Sequence, residues 1–474
     1  MRVIGLLSVL VMARLLTPAD FGIMALAMST AALVDIFAAL GLRQALLRLP
    51  TLERGHYDTA WTIQVLLLTF LAVALAAVAP LAAWFYDEPA LFAVVAVLAT
   101  RFFFLGLVNV GTIDFDRNLE LGRDLQLRVA ARLGSFAATV AAALILRNYW
   151  ALVIGAVTQA LLHAAGSYVV HPYRPRFSLA KRAELLGVSL WMFLSSASHS
   201  VFREIEQLVA GRIASMQVVG FYSVTKGLSS IFTDEIATAL NRVTFVVTAQ
   251  GGRSLGEQHD RLKVMLGSYA TIAALFGLGL AATAEEACAV LLGSQWAGSA
   301  PYLQLVAPAA ACFAVYKLVI STLQASGEAK QGAYLSVGGA LFLIGAVILS
   351  AVAGADALGL ARAALCSTAT LLLTGLIFLA VKAKASPLSL LFSVGRPFAA
   401  GLLMLGLVRG LPGLFDISLV QLSFEASCGA GAFFLASAIL WWGGGRPVGA
   451  EARAFQLLTA GIARLVERPS REGI

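Results

Sequence analysis

The chain is poor in charge. Asp, Glu, Lys and Arg make up 13% of its 474 residues, while 59% are hydrophobic. A soluble domain is about a quarter charged, so the string of soluble domains that the length alone would allow is excluded. Cysteine is scarce as well: Cys288, Cys312, Cys366 and Cys428 stand far apart with no C-x-x-C pair. That excludes a disulfide framework and a structural zinc site. There is no G-x-x-x-x-G-K-[ST] and no H-E-x-x-H, the signatures of nucleotide hydrolysis and of a zinc protease. One G-x-S-x-G occurs, Gly252-Arg253-Ser254-Leu255-Gly256. It lies in a polar connection with no strand before it, where a nucleophile elbow needs strand, turn and helix. Long polar connections are missing too, so no extramembrane catalytic domain is expected, and neither is a cofactor. Nor does a small-residue cleavage site lead into a polar mature domain, so no cleavable signal is expected.

What the chain has is apolar runs, with mean hydropathy +0.86. A helix needs about 20 apolar residues to cross the hydrocarbon core. On that measure the chain reads as an all-α polytopic membrane protein of about fourteen spans. The first eight are Met1–Leu16, Phe21–Leu42, Thr59–Phe85, Ala90–Ile113, Ala130–Leu146, Tyr149–Val170, Leu185–Phe202 and Val218–Leu240. The rest are Leu262–Ala284, Pro301–Leu323, Ala333–Ala353, Ala357–Val381, Arg396–Leu411 and Leu422–Trp442. Connections after even-numbered spans are basic, as with Arg43, Arg48 and Arg54, or Arg174, Arg176, Lys181 and Arg182. Those after odd-numbered spans are neutral or acidic, as with Asp87 and Glu88, or Glu285 and Glu286; Arg147, Arg203, Arg212 and Arg409 are exceptions. By the positive-inside rule both termini are cytoplasmic. The formal charge of +8 then points to anionic lipid headgroups rather than nucleic acid. Trp61, Trp84, Trp150, Trp296 and Trp441 fall near span ends, where an interfacial aromatic belt would lie.

One stretch organises the rest. In Ala13–Arg43 an apolar helix meets Pro18, which cannot continue it; Asp20 can cap a second helix, and Gly22 allows close backbone approach. Gly211–Arg242 echoes it: Arg14 and Gly22 have the spacing of Arg212 and Gly220, with Phe21 and Val219 before the glycines, and Asp35 one place from the register of Asp234. A duplication with a mid-chain seam follows, with function between the halves. The division is 1–172 (spans one to six), 173–381 (seven to twelve), 382–445 (thirteen and fourteen) and a tail, 446–474, whose Ala450–Val466 has an amphipathic pattern suited to lying on a leaflet.

ARLLTPADFG followed by LVDIFAALGLRQAL resembles the opening signature of bacterial polysaccharide exporters, the Wzx-type lipid-linked oligosaccharide flippases of the multidrug/oligosaccharidyl-lipid/polysaccharide exporter superfamily. Arg117–Leu119, Tyr149-Trp150-Ala151-Leu152, Arg174-Pro175-Arg176 and Val219-Gly220-Phe221-Tyr222-Ser223 are similar to further motifs of that family. The resemblance implies two six-helix lobes around a central cavity, with two extra C-terminal helices. It implies a polyprenyl-diphosphate-linked oligosaccharide as cargo, and polymerases or glycosyltransferases as possible partners. It also implies a fuller first helix than Met1–Met12 supplies, and apolar residues where Thr233-Asp234-Glu235 stand.

A charge inside an apolar span costs about 2.5–3.5 kcal/mol on insertion scales, so it faces a cavity or a partner. Arg101, Lys226, Lys317 and Arg362 are candidates for holding the diphosphate or an acidic sugar, because guanidinium and ammonium groups donate to such oxygens. The alternative for Arg101 is a structural ion pair with a carboxylate such as Asp35, and for Lys226 one with Asp234 or Glu235; Arg362 is close enough to the outer surface to snorkel. Pro308 should kink the span that carries Lys317. Asp35, Asp234 and Glu235 are candidates for ion coupling, since a membrane carboxylate can take up a proton or sodium ion. His163 and His199 could relay protons or simply bond to nearby serines. A small-cation drug antiporter of the same superfamily is the first rival reading, though it would favour an acidic cavity. A membrane polymerase or glycosyltransferase is the second, and it lacks the large domain it would need.

Overall fold

Apolar length decides most of the elements. The computed structural model describes residues 2–38, 42–185, 190–231, 259–415 and 418–444. Asp234, Glu235, the Gly252–Gly256 motif and the tail after 444 lie outside them. Among the described residues every element is helical. In chain order these are α1 (Arg2–Leu15), α2 (Pro18–Asp35), α3 (Leu42–Arg48), α4 (Arg54–Tyr86), α5 (Ala90–Gly106), α6 (Ile113–Arg117), α7 (Leu121–Leu146), α8 (Trp150–Val170), α9 (Arg182–Leu185) and α10 (Leu190–Ile213). Next comes α11 (216–231). It is followed by α12 (His259–Ala282), α13 (Ala284–Ala287), α14 (Ala300–Ala325), α15 (Ala329–Val352), α16 (Ala357–Lys382), α17 (Pro387–Arg409) and α18 (Ser418–Gly443). Among the described residues ten helices are long and apolar enough to cross a membrane, or eleven counting one bent pair. Of the fourteen expected spans, the first is a shorter helix, the eighth is described only to residue 231, and the seventh carries Arg203, Glu204 and Glu206 inside α10. The chain was expected to leave the membrane at Phe202; instead the helix runs on to Ile213.

The chain divides into two compact units: Met1–Val224 with Leu291–Ser299 and Ser336–Leu360, and Thr225–Val290 with Ala300–Leu335 and Ala361–Ile474. In the first, Leu26, Leu75, Leu91, Val94, Phe102 and Val153 bury a continuous core shared by α2, α4, α5 and α8. In the second, Leu266, Val315, Leu318, Leu376, Leu379 and Leu390 do the same for α12, α14, α16 and α17. Tyr316 Oη donates to Leu335 O at 2.6 Å, and α14 continues through Pro308 without a break.

The fourth span is not straight. α5 ends at Gly106, and the chain turns 65° into the helical stretch Val110–Arg117. A break inside a span leaves carbonyls without their N–H partners. Gln64 of α4 reaches across the break: its Nε2 lies 3.3, 3.0 and 3.1 Å from the oxygens of Leu105, Gly106 and Val108, of which Leu105 O also accepts from Val108 N. Beyond the break Asn109 bonds to Ser167 Oγ and to the carbonyl of Tyr173, each at 2.9 Å, which pins the segment after α8.

Candidate functional site

The break at Pro18 builds the site. Thr17 is the N-cap of α2, and Asp20, expected to be the cap, is its partner three residues on. Thr17 N and Oγ1 donate to Asp20 Oδ2 at 2.9 and 2.6 Å, and Asp20 N returns a bond to Thr17 Oγ1 at 3.3 Å. Because Thr17 N bonds forward, Ala13 O loses its intrahelical donor. Trp296 Nε1 takes it at 2.8 Å, and Gln295 Nε2 bonds both Ala13 O and Leu16 O. The free oxygen of Asp20 accepts from Tyr149 N at 2.9 Å, tying α2 to the start of α8.

Here α2 crosses α11, glycine on glycine. A Cβ on Gly22 would overlap the Met216 carbonyl and stand 3.2 Å from Gly220 N; a Cβ on Gly220 would overlap the Pro18 carbonyl and stand 3.2 Å from Gly22 N. These are one contact seen from either side, so the crossing is two-fold related, as in an isologous interface. The paired residues are those of the sequence echo. Trp296 sits over the crossing with its ring centroid 5.2 Å from Phe21 and 5.9 Å from Phe221, edge-on to both. It is 0% exposed. The expected interfacial belt therefore loses Trp296, and Trp61 is buried too, bonded to Tyr168 and edge-on to Phe177.

Two of the candidate charges, Arg101 and Asp35, lie in the first unit. Arg101 is half-buried on α5, its guanidinium 5.9 Å from the Phe102 ring centroid. Asp35 is exposed at the end of α2, and the two charges act on one another. Among the described residues they form no direct ion pair. In the second unit Lys226 and Lys317 are half-buried, each engaged by neighbouring groups, and Arg362 is exposed.

The model of the polysaccharide biosynthesis protein family matches residues 11–301. The chain belongs to that family. Over 418 residues this family member is 26% identical to the succinoglycan biosynthesis transport protein ExoT of Rhizobium meliloti (strain 1021), covering 85% of this chain and 82% of that one. An uncharacterized membrane protein in the cps region of Klebsiella pneumoniae is 21% identical over 338 residues, covering 69% and 68%. Lipid II flippase MurJ, in its inward closed conformation, has a TM-score of 0.72 to this chain at 11% identity, covering 93% and 96%. An inward-facing multidrug resistance MATE family transporter of the MOP superfamily has 0.53 at 15%, covering 80% and 94%. At such identities these two structures share the chain's fold. It is a multi-pass membrane protein of transporter architecture.

Three further charged groups of the family member escaped the sequence reading. Ser29 Oγ donates to Glu204 at 2.7 Å, and Tyr222 Oη donates to the buried Glu206 at 2.5 Å. Arg132 of α7 bonds Gln159 of α8 at 2.9 Å. The signal for the glutamates was available: Ile205, Leu208 and Val209 continue the apolar pattern past Phe202, so the acids belong to the span.

Proposed function

We propose that the chain flips a polyprenyl-diphosphate-linked oligosaccharide from the cytoplasmic to the outer leaflet of a bacterial inner membrane, by alternating access and with both termini in the cytoplasm. The observation that carries this reading is Arg101: a half-buried guanidinium in an apolar helix with no carboxylate in ion-pair contact among the described residues. A guanidinium in that state favours an anionic, oxygen-rich guest, and a diphosphate presents paired oxygens to its planar fork. Lys226 and Lys317 extend the cationic character, Arg362 meets the guest at a helix end, and Asp35 couples the cycle to an ion gradient. Asp234 and Glu235 stand as further coupling candidates. The glycan and diphosphate follow a hydrated path while the polyprenyl tail stays in lipid. The transport named for the succinoglycan relative, and the lipid-linked cargo named for MurJ, support the substrate class.

The test is export in a deletion strain. Arg101→Ala should abolish surface polysaccharide with the protein still present in the membrane at the wild-type level, and Arg101→Lys should restore part of it. Normal polysaccharide in Arg101→Ala would remove Arg101 from the mechanism. Loss of drug tolerance on deletion, with polysaccharide intact, would select small-cation antiport instead.

A further inference from the structure

The second unit has a partly open pocket of about 260 Å³ between α12, α17 and α18. Its walls are apolar, with Leu275, Leu280, Met404 and Val408 among them, and Glu425 is the one ionisable side chain in the lining. Space comes from small residues: a Cβ on Gly279 would reach only Met404, at 3.7 Å, and Gly429 faces Val408 and Met404. Apolar walls of this extent favour an apolar guest. In a chain embedded in lipid, a stretch of acyl chain is the guest at hand.

The polar end of the cavity is built. Glu425 is 6% exposed. Gln421 Nε2 donates to it at 2.7 Å, and Gln421 Oε1 accepts from the backbone N–H groups of Leu414 and Phe415 at 3.2 and 3.3 Å, which fixes the amide's orientation. Glu286 is a second carboxyl beside Glu425, and Glu285 adds its field. Two carboxyl groups in contact need either a shared proton or a cation between them. Arg409, exposed, follows directly on Val408 of the lining. It is one of the few arginines on the wrong side of the charge alternation, and among the described residues it makes no ion pair.

We infer that this cavity binds a phospholipid with a primary ammonium head group, its acyl chain against α12, α17 and α18 and its ammonium on Glu425 and Glu286. The ammonium replaces the shared proton and offers three N–H donors. A diphosphate head has no positive part and is repelled by the three acids, so the site is distinct from that of the proposed cargo and does not depend on it.

Purified full-length protein, exchanged into vesicles of phosphatidylethanolamine, phosphatidylglycerol or phosphatidylcholine and examined by native mass spectrometry, tests this. Phosphatidylethanolamine should be retained in preference to both others, since phosphatidylglycerol lacks the cation and phosphatidylcholine lacks the N–H donors. Glu425→Gln and Glu286→Gln should each erase that preference, and Ala430→Phe, which fills the cavity, should lose the bound lipid of every class. Equal retention of the three lipids by the wild type, or an unchanged preference in Glu425→Gln, would overturn the inference. If Ala430→Phe does not fold, Glu286→Gln, at a half-buried position, decides alone.

Discussion

Trp296 does two things that no neighbour does alone. Its N–H satisfies a helix-end carbonyl, and its ring fills the space beside two glycines where no side chain of α2 or α11 can enter. A second lock of single residues holds the strap after α8. Asp58 accepts from Tyr173 Oη and Arg176 N, His56 Nε2 lies 2.9 Å from Glu184, and Lys181 Nζ bonds Glu53 and Glu184 at 3.1 and 3.3 Å. The His56 contact first, and Lys181 next, hold the Glu184 carboxyl below its ordinary value. A lowered carboxylate stabilises the fold fully above that ordinary value, and the contribution is lost as pH falls through the lowered one. Hydrogen-exchange protection of the 176–181 amides, corrected for intrinsic pH dependence, should therefore persist to below the usual carboxylate midpoint. In His56→Ala the loss should move to higher pH. A midpoint unmoved by His56→Ala would show that the strap is held by other contacts.

At the scale of elements, the crossing of α2 and α11 brings two backbones into direct contact, and it makes a prediction about coupling. An alanine at either glycine must push the same two backbones apart, and overpacking of this kind costs about 1–3 kcal/mol. Once one alanine has separated them, the second meets little resistance. Gly22→Ala and Gly220→Ala should each lower the melting temperature in detergent, while the double variant falls well short of the sum. Strict additivity would mean that the two glycines do not share one contact. The pairing was legible beforehand because the echo of Arg14–Gly22 in Arg212–Gly220 is a fact of spacing. The break of α5 at Gly106 was not, because an apolar run carries no sign of where a distant glutamine will reach across it. Trp296 was misread for a related reason: position near a span end is shared by belt and buried tryptophans, and only the partners Ala13, Phe21 and Phe221, far away in sequence, distinguish them. Several residues that carry the family likeness turn out to be pins of the scaffold. Thr17 and Asp20 cap, Arg117 bonds the carbonyls of Leu46, Leu49 and Pro50 at the end of α3, and Tyr149 N closes on Asp20.

For the whole molecule the open question is energy. The sequence has no G-x-x-x-x-G-K-[ST], and on the proposed flippase reading we propose that directional movement of cargo draws on a gradient. One charge crossing a potential of 100 mV yields about 2.3 kcal/mol, or roughly a fifty-fold bias in distribution. One coupled proton per cycle is thus enough to make flipping directional. The carboxylates differ in fitness for that task. Glu204 and Glu206 are held by hydroxyl donors, and Glu206 is buried against Tyr222. Asp35 is exposed, makes no hydrogen bond among the described residues, and feels the Arg101 charge. In vesicles loaded with lipid-linked repeat units, collapsing the proton gradient should slow flipping by the wild type. Asp35→Asn should flip at one rate, gradient or none, while binding of the cargo is retained. A wild type indifferent to the gradient, or an Asp35→Asn variant that still responds to it, would take the coupling role away from this residue.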